Sequence, residues 1–130
     1  MHIDESAFRQ TILNLTVNAR DAMGPEGQIK ITLRPVEAGN EMSCIKSNPI
    51  GPAPTKGVVL DFGDAGSGIH PDILGKIFQP FFTTKEKGKG SGFGLYNARI
   101  FASNHGGKIG VTSIPNQGTT FHIYLPVLEE

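Results

Sequence analysis

Apolar positions along the chain change their period several times, and each change marks an element. Over residues 5–23, Phe8, Ile12, Leu15, Ala19 and Ala22 recur at steps of four and three, which predicts one amphipathic helix. Asp4 stands before it as an N-cap and Glu5 falls in its first turn. Asn14, Asn18 and Asp21 recur at the same steps and, at about 100° per residue, are expected on a face roughly opposite the apolar one. Asn is a mediocre helix former, so amides are an unusual choice for a merely solvated stripe. Gly24-Pro25-Glu26-Gly27 ends the helix. Gln28–Arg34 then alternates Ile29, Ile31 and Leu33 with Lys30 and Thr32, the period of a half-buried strand.

Residues 35–57 are rich in Pro, Gly and Asn and read as a long hairpin connection, with a short strand possible at Ser43–Lys46. Gly57–Gly63 is more apolar and reads as a central strand covered on both faces. Pro71–Phe78 is expected to be a short helix with Pro71 near its first position. Phe93–His105 is expected to be a second long helix ended by Gly106-Gly107. Lys108–Ser113 and Thr119–Pro126 read as strands, the last alternating Phe121, Ile123 and Leu125 with Thr120, His122 and Tyr124. Together these elements predict an α/β (α+β) two-layer sandwich: a mixed, mostly antiparallel sheet with helices packed on one face.

Composition narrows the functional classes. With 130 residues and 38% hydrophobic content, the chain suits a single domain over 1–130. Lys plus Arg and Asp plus Glu both number 12, a balance that argues against nucleic acid or an anionic membrane as partner. No apolar run is long enough to cross a bilayer, and the first residues do not resemble a signal peptide. Cys44 is the one cysteine, which fits a reducing, cytoplasmic setting.

Two stretches carry candidate chemistry. Gly88–Leu95 reads Gly-Lys-Gly-Ser-Gly-Phe-Gly-Leu and opens a predicted helix. Such a run can turn several N–H groups toward one anion, with the helix dipole assisting; it can equally be a flexible surface loop. Asp64-Ala65-Gly66-Ser67-Gly68-Ile69 follows the central strand directly. A carboxylate there is either a ligand-binding group or the first residue of an Asp-led turn, and the local sequence leaves both open.

Taken in order, the motifs resemble those of the ATP-binding catalytic domain of sensor histidine kinases, within the GHKL superfamily and its Bergerat ATP-binding fold. Asn14–Met23 is similar to the N box, Asp64–Gly68 to the first glycine box, and Phe78–Phe82 to the F box. Gly90–Leu95 is similar to the second glycine box, and Gly118–Phe121 to the final Gly-Thr box. The resemblance covers nearly the whole chain, with 37–56 as a variable insertion.

The resemblance implies the cofactors ATP and Mg2+. Asn18 would bind the metal through its side-chain oxygen, with Asn14 and Asp21 on the same helix. Asp64 would accept a hydrogen bond from the adenine amino group, Gly66, Gly68 and Ile69 would close on the base, and Thr119 would support it. Residues 81–92 would form an ATP lid, with Lys85 a phosphate contact. Gly90, Gly92, Phe93, Gly94 and Leu95 would surround the phosphates.

The ATP-hydrolysing members of the superfamily carry Glu at the position of Asn14, and an amide cannot act as a general base. This favours transfer to a protein acceptor. None of His2, His70, His105 and His122 resembles an acceptor histidine, and all four are expected to be structural or surface residues. The implied partners are a histidine-bearing dimerisation domain of the same, longer kinase and a response regulator receiver domain downstream. Two alternatives share the pattern: a serine/threonine kinase of the anti-sigma-factor type, and a nucleotide-dependent interaction module without transfer activity.

Overall fold

The computed structural model describes residues 3–23, 27–38, 55–79 and 94–127. In chain order these form α1 (Glu5–Met23), β1 (Ile29–Val36), β2 (Gly57–Asp64), α2 (Pro71–Leu74), α3 (Gly94–Asn104), β3 (Lys108–Ile114) and β4 (Gly118–Pro126). The strands make one sheet in the order β1-β2-β4-β3, and all three pairings are antiparallel. The mixed sheet expected from the sequence is therefore purely antiparallel among the described residues. The 37–56 insertion, Cys44 and the strand at Ser43–Lys46 lie wholly or mostly outside them.

Helix α1 starts where its cap predicts: an Asp4 side-chain oxygen accepts from the Ala7 N–H at 3.1 Å. Leu15 and Ala19 on its apolar face are buried, with Phe8 and Ile12 packed beside them. The core they enter lies between the helices and one sheet face, among Leu60, Phe62, Phe101, Val111, Phe121 and Ile123. Helix α1 packs over β2, and α3 over β3 and β4. The far end of α3 is tied to the start of α1 through His105, whose Nε2 accepts from the Asp4 N–H while Nδ1 bonds the Phe101 carbonyl.

Two expectations need correction. The Asn14–Asn18 stripe does not lie opposite the apolar face. Both residues are half-buried, and the Asn14 amide donates to the Gly94 carbonyl at 3.3 Å. Asn14 precedes Leu15, so it is rotated about 100° from the core direction, which sets Asn14 against the start of α3 rather than in solvent. Nor is β1 half-buried throughout: Ile31 and Leu33 are 51% and 67% exposed. They share the face of Phe62 and Leu60, but among the described residues β1 is the edge of the sheet, and the described helices lie over the strands beyond it.

The other sheet face carries a polar row. Asp61 of β2 bonds His122 of β4 at 2.6 Å and Arg34 of β1 at 2.7 Å, and His122 bonds Thr112 of β3 at 3.0 Å. All four strands thus contribute one residue. Burial alone would raise the Asp61 carboxyl, but the His122 and Arg34 hydrogen bonds and their charges outweigh it and hold the group below the ordinary value. Beside this row Val36, Val59 and Tyr124 form a second small core.

Candidate functional site

Strand β2 ends on Asp64, whose register partners are Ile29 on one side and Thr119 on the other. Thr119 in turn pairs with Ser113. One row on the helix side of the sheet therefore reads Ile29, Asp64, Thr119, Ser113, at the end where β2 leaves the sheet. One Asp64 oxygen accepts from the Gly66 N–H at 2.8 Å, so the residue does lead an Asp turn. Burial pushes the carboxyl above its ordinary value, and the N–H groups of Gly66 and Thr119 offset this only in part. A carboxylate accepting two N–H bonds keeps further acceptor capacity, so serving the turn leaves it able to bind a donor.

The β3–β4 hairpin holds the loop that follows Asp64. The Asn116 N–H donates to the Ser67 carbonyl at 2.7 Å, and the Ile69 N–H donates to Ser113 Oγ at 2.7 Å. Gly68 has φ +76° and lies so close that a Cβ would collide with the Ile114 carbonyl oxygen. Gly118, at φ +135°, approaches the Asp64 carbonyl in the same way. Ile69 packs against the main core. Gly66, Gly68, Ile69, Asp64 and Thr119, named separately from the sequence, thus stand together.

A second group lies on the helices. Asn14 Oδ1 accepts from Gln10 at 3.1 Å, and its Nδ2 donates to the Gly94 carbonyl. Asn18 is half-buried one turn on, and Asp21 is exposed. Gly94 is the first residue of α3, and Leu95 packs against the core. The end of α1 meets the first group, since Met23 Sδ accepts from the Ala65 N–H at 3.4 Å. Lys85, Gly90, Gly92, Phe93 and the 81–92 lid lie outside the described residues. Of the F box, Phe78 is described and packs edge-on against Phe121, with centroids 6.2 Å apart.

Among the described residues no three His, Cys, Asp or Glu side chains cluster as a metal site. A cation here would rely on amide oxygens and on oxygens of the ligand itself. That donor set fits a hard ion such as Mg2+, which keeps waters and substrate phosphates in its shell. Ser113 and Asn116 were not singled out in the sequence. The one available signal was the hydroxyl of Ser113 in the otherwise apolar inward-facing series Ile109, Val111, Ser113 of β3.

The architecture is thus an antiparallel sheet backed by two long helices, with a glycine-framed carboxylate at the end of β2 and Asn14 and Asn18 on α1, and comparison with known proteins assigns it to an ATPase class. The sequence profile of the family described as histidine kinase-, DNA gyrase B-, and HSP90-like ATPase matches residues 3–129. The chain belongs to this family, and within it to the ATP-binding catalytic domains of sensor histidine kinases. It is 43% identical over 127 residues to the sensor kinase CckA of Brucella abortus (strain 2308), covering 98% of this chain and 13% of that protein. A mycobacterial sensor histidine kinase, MprB, superposes with a TM-score of 0.71 at 27% identity, over 95% of this chain and 72% of that one. The catalytic domain of histidine kinase ThkA does so with a TM-score of 0.68 at 31% identity, over 95% and 68%. The chain spans only 13% to 23% of the length of the curated relatives it matches.

Proposed function

We propose that the chain binds Mg-ATP and, in the full-length protein, donates the γ-phosphoryl group to a histidine on a dimerisation domain, for onward transfer to a receiver domain. The observation that carries this reading is the Asp64 carboxylate, half-buried at the end of β2 and framed by Gly66, Gly68 and Thr119. Asp64 accepts the adenine amino group, while the tightly held Gly66–Ile69 loop lines the base. Asn18, with Asn14 beside it, supplies amide oxygens to the Mg2+ shell, and the bound ion would neutralise phosphate charge. The phosphates lie toward the start of α3, where N–H groups near Gly94 attract anions. In the transfer step the bond from the γ-phosphorus to the bridging oxygen breaks, an imidazole nitrogen bonds to phosphorus, and ADP leaves. Asn14 is no base for activating water, which agrees with an external acceptor. The family relatives named as sensor kinases favour a histidine over a serine or threonine acceptor.

Calorimetric titration with non-hydrolysable ATP and GTP analogues, with and without Mg2+, tests the binding half. A charge-assisted bond contributes about 1.5–3 kcal/mol, so ATP should bind at least about tenfold more tightly than GTP, and Asp64→Ala should narrow that gap. Asn18→Ala should weaken ATP binding only when Mg2+ is present. Equal affinity for the two nucleotides refutes the adenine assignment, and a magnesium-independent Asn18→Ala effect refutes the metal assignment.

A further inference from the structure

We infer that Ser113 is a positioning residue that fixes the Thr119 hydroxyl as a hydrogen-bond acceptor and so sharpens selection for an amino-bearing base. This rests on the adenine reading of Asp64. Ser113 Oγ has three neighbours: the Ile69 N–H at 2.7 Å, the Gly118 carbonyl at 3.0 Å and Thr119 Oγ1 at 2.9 Å. An N–H can only donate and a carbonyl can only accept, while a hydroxyl has one proton and two lone pairs. Ser113 therefore accepts from Ile69 and gives its proton to Gly118. Thr119 must then be the donor in the hydroxyl pair. Its proton is spent on Ser113, and what remains on Thr119 Oγ1 is lone-pair capacity alone.

Thr119 is the register partner of Asp64 on the same sheet face. An ionised carboxylate also only accepts. Two acceptor groups side by side match an exocyclic amine, which brings two hydrogens directly or through a bridging water. A base with a carbonyl at that edge meets like polarity from both groups. Ser113 lies behind Thr119, so it acts through Thr119 and need not touch the ligand.

The test measures binding of ATP and GTP analogues to the whole chain by calorimetry, for the wild type, Ser113→Ala and Ser113→Thr. With alanine at 113 the Thr119 hydroxyl is free to rotate and donate. The ATP-over-GTP ratio is then expected to fall by roughly three- to tenfold, the scale of one neutral hydrogen bond. Ser113→Thr keeps a hydroxyl and should restore the ratio. A Ser113→Ala protein that binds both nucleotides more weakly by the same factor overturns the inference, since Ser113 would then merely brace the Ile69 loop. A wild type without preference for ATP overturns the adenine reading and this inference together, so the two failures are told apart. Should Ser113→Ala not fold, Ser113→Cys keeps the side-chain size with a weak donor and acceptor, and the same narrowing is expected of it.

Discussion

Removing the Asp61 carboxylate tests whether the polar row on the far sheet face holds the fold independently of the site. Besides a long 3.5 Å bond from the exposed Thr32 hydroxyl, Asp61→Ala breaks two contacts of unequal worth. The Arg34 side chain is 29% exposed at the sheet edge, so it can rehydrate, and that pair contributes about 0–1 kcal/mol. His122 is only 4% exposed and cannot reach water. Its Nδ1 loses the 2.6 Å bond, and a buried unpaired donor costs about 1–3 kcal/mol. The expected loss is thus roughly 1–4 kcal/mol, a large part of the ~5–15 kcal/mol that holds a domain of this kind together. At about 3–5 °C per kcal/mol this lowers the melting temperature by roughly 3–20 °C. Urea unfolding at neutral pH would measure it, with Arg34→Ala as a control expected to lose under about 1 kcal/mol.

The acid dependence has a definite sign. The folded Asp61 carboxyl lies below its ordinary value of 3.8. Its ionic contribution is therefore present above that value and lost as pH falls through the lower, folded value. The stability gap between wild type and Asp61→Ala should narrow below about 4, as the Asp61 carboxylate takes up its proton. Asp61 and Asp64 are three residues apart on one strand and point to opposite faces, so nucleotide affinity should not change. A loss under about 0.5 kcal/mol, or a fall in affinity matching the loss of stability, would refute the reasoning.

Two further outcomes concern the site. Gly118→Ala places a Cβ against the Asp64 carbonyl at a backbone angle that side chains avoid, and should reduce ATP affinity at least about tenfold by calorimetry; wild-type affinity would show that the close approach is dispensable. The Asp64 carboxyl lies above 3.8, so its protonation favours the folded state at low pH and that contribution is lost as pH rises through the folded value. On the proposed adenine contact ATP binding would use the ionised form, so affinity should fall as pH drops through the raised value and become flat in Asp64→Asn; a persistent acid fall in Asp64→Asn would place the titrating group elsewhere.

Much of this architecture was legible because periodicity reports which face of an element is apolar. Helix α1, the buried β2 and the inward series Phe121, Ile123, Leu125 follow directly from it. Periodicity is silent about what covers a face. Ile31 and Leu33 alternate as regularly as the residues of β4, yet they stand exposed because β1 is the edge among the described strands and the described helices lie over the others. The converse holds for His122 and Tyr124, which alternate with the apolar series like solvent-facing residues and are nonetheless buried. Their burial depends on partners far away in sequence: Asp61, itself held by Arg34, bonds His122, and Thr55 bonds the Tyr124 hydroxyl. Ser113 was illegible for the same reason, since its partner Ile69 is 44 residues away. The first glycine box was legible because its constraint is local: Gly68 must take a positive φ.

Asn14 illustrates how one side chain answers to both fold and chemistry. Its oxygen accepts from Gln10 and its nitrogen donates to the Gly94 carbonyl, where α3 begins. Glutamate at this position would add the base that hydrolysis requires. It would also place an acceptor-only group against the Gly94 oxygen, replacing a hydrogen bond with repulsion between like partial charges. The amide is thus favoured by the contact between α1 and α3 whatever chemistry follows. In the proposed reading, the same contact carries the metal-binding helix up to the phosphate-binding end of α3. Closing the helices together and withholding a base from water then come from one residue choice, and the γ-phosphoryl group is left for an acceptor brought from outside this domain.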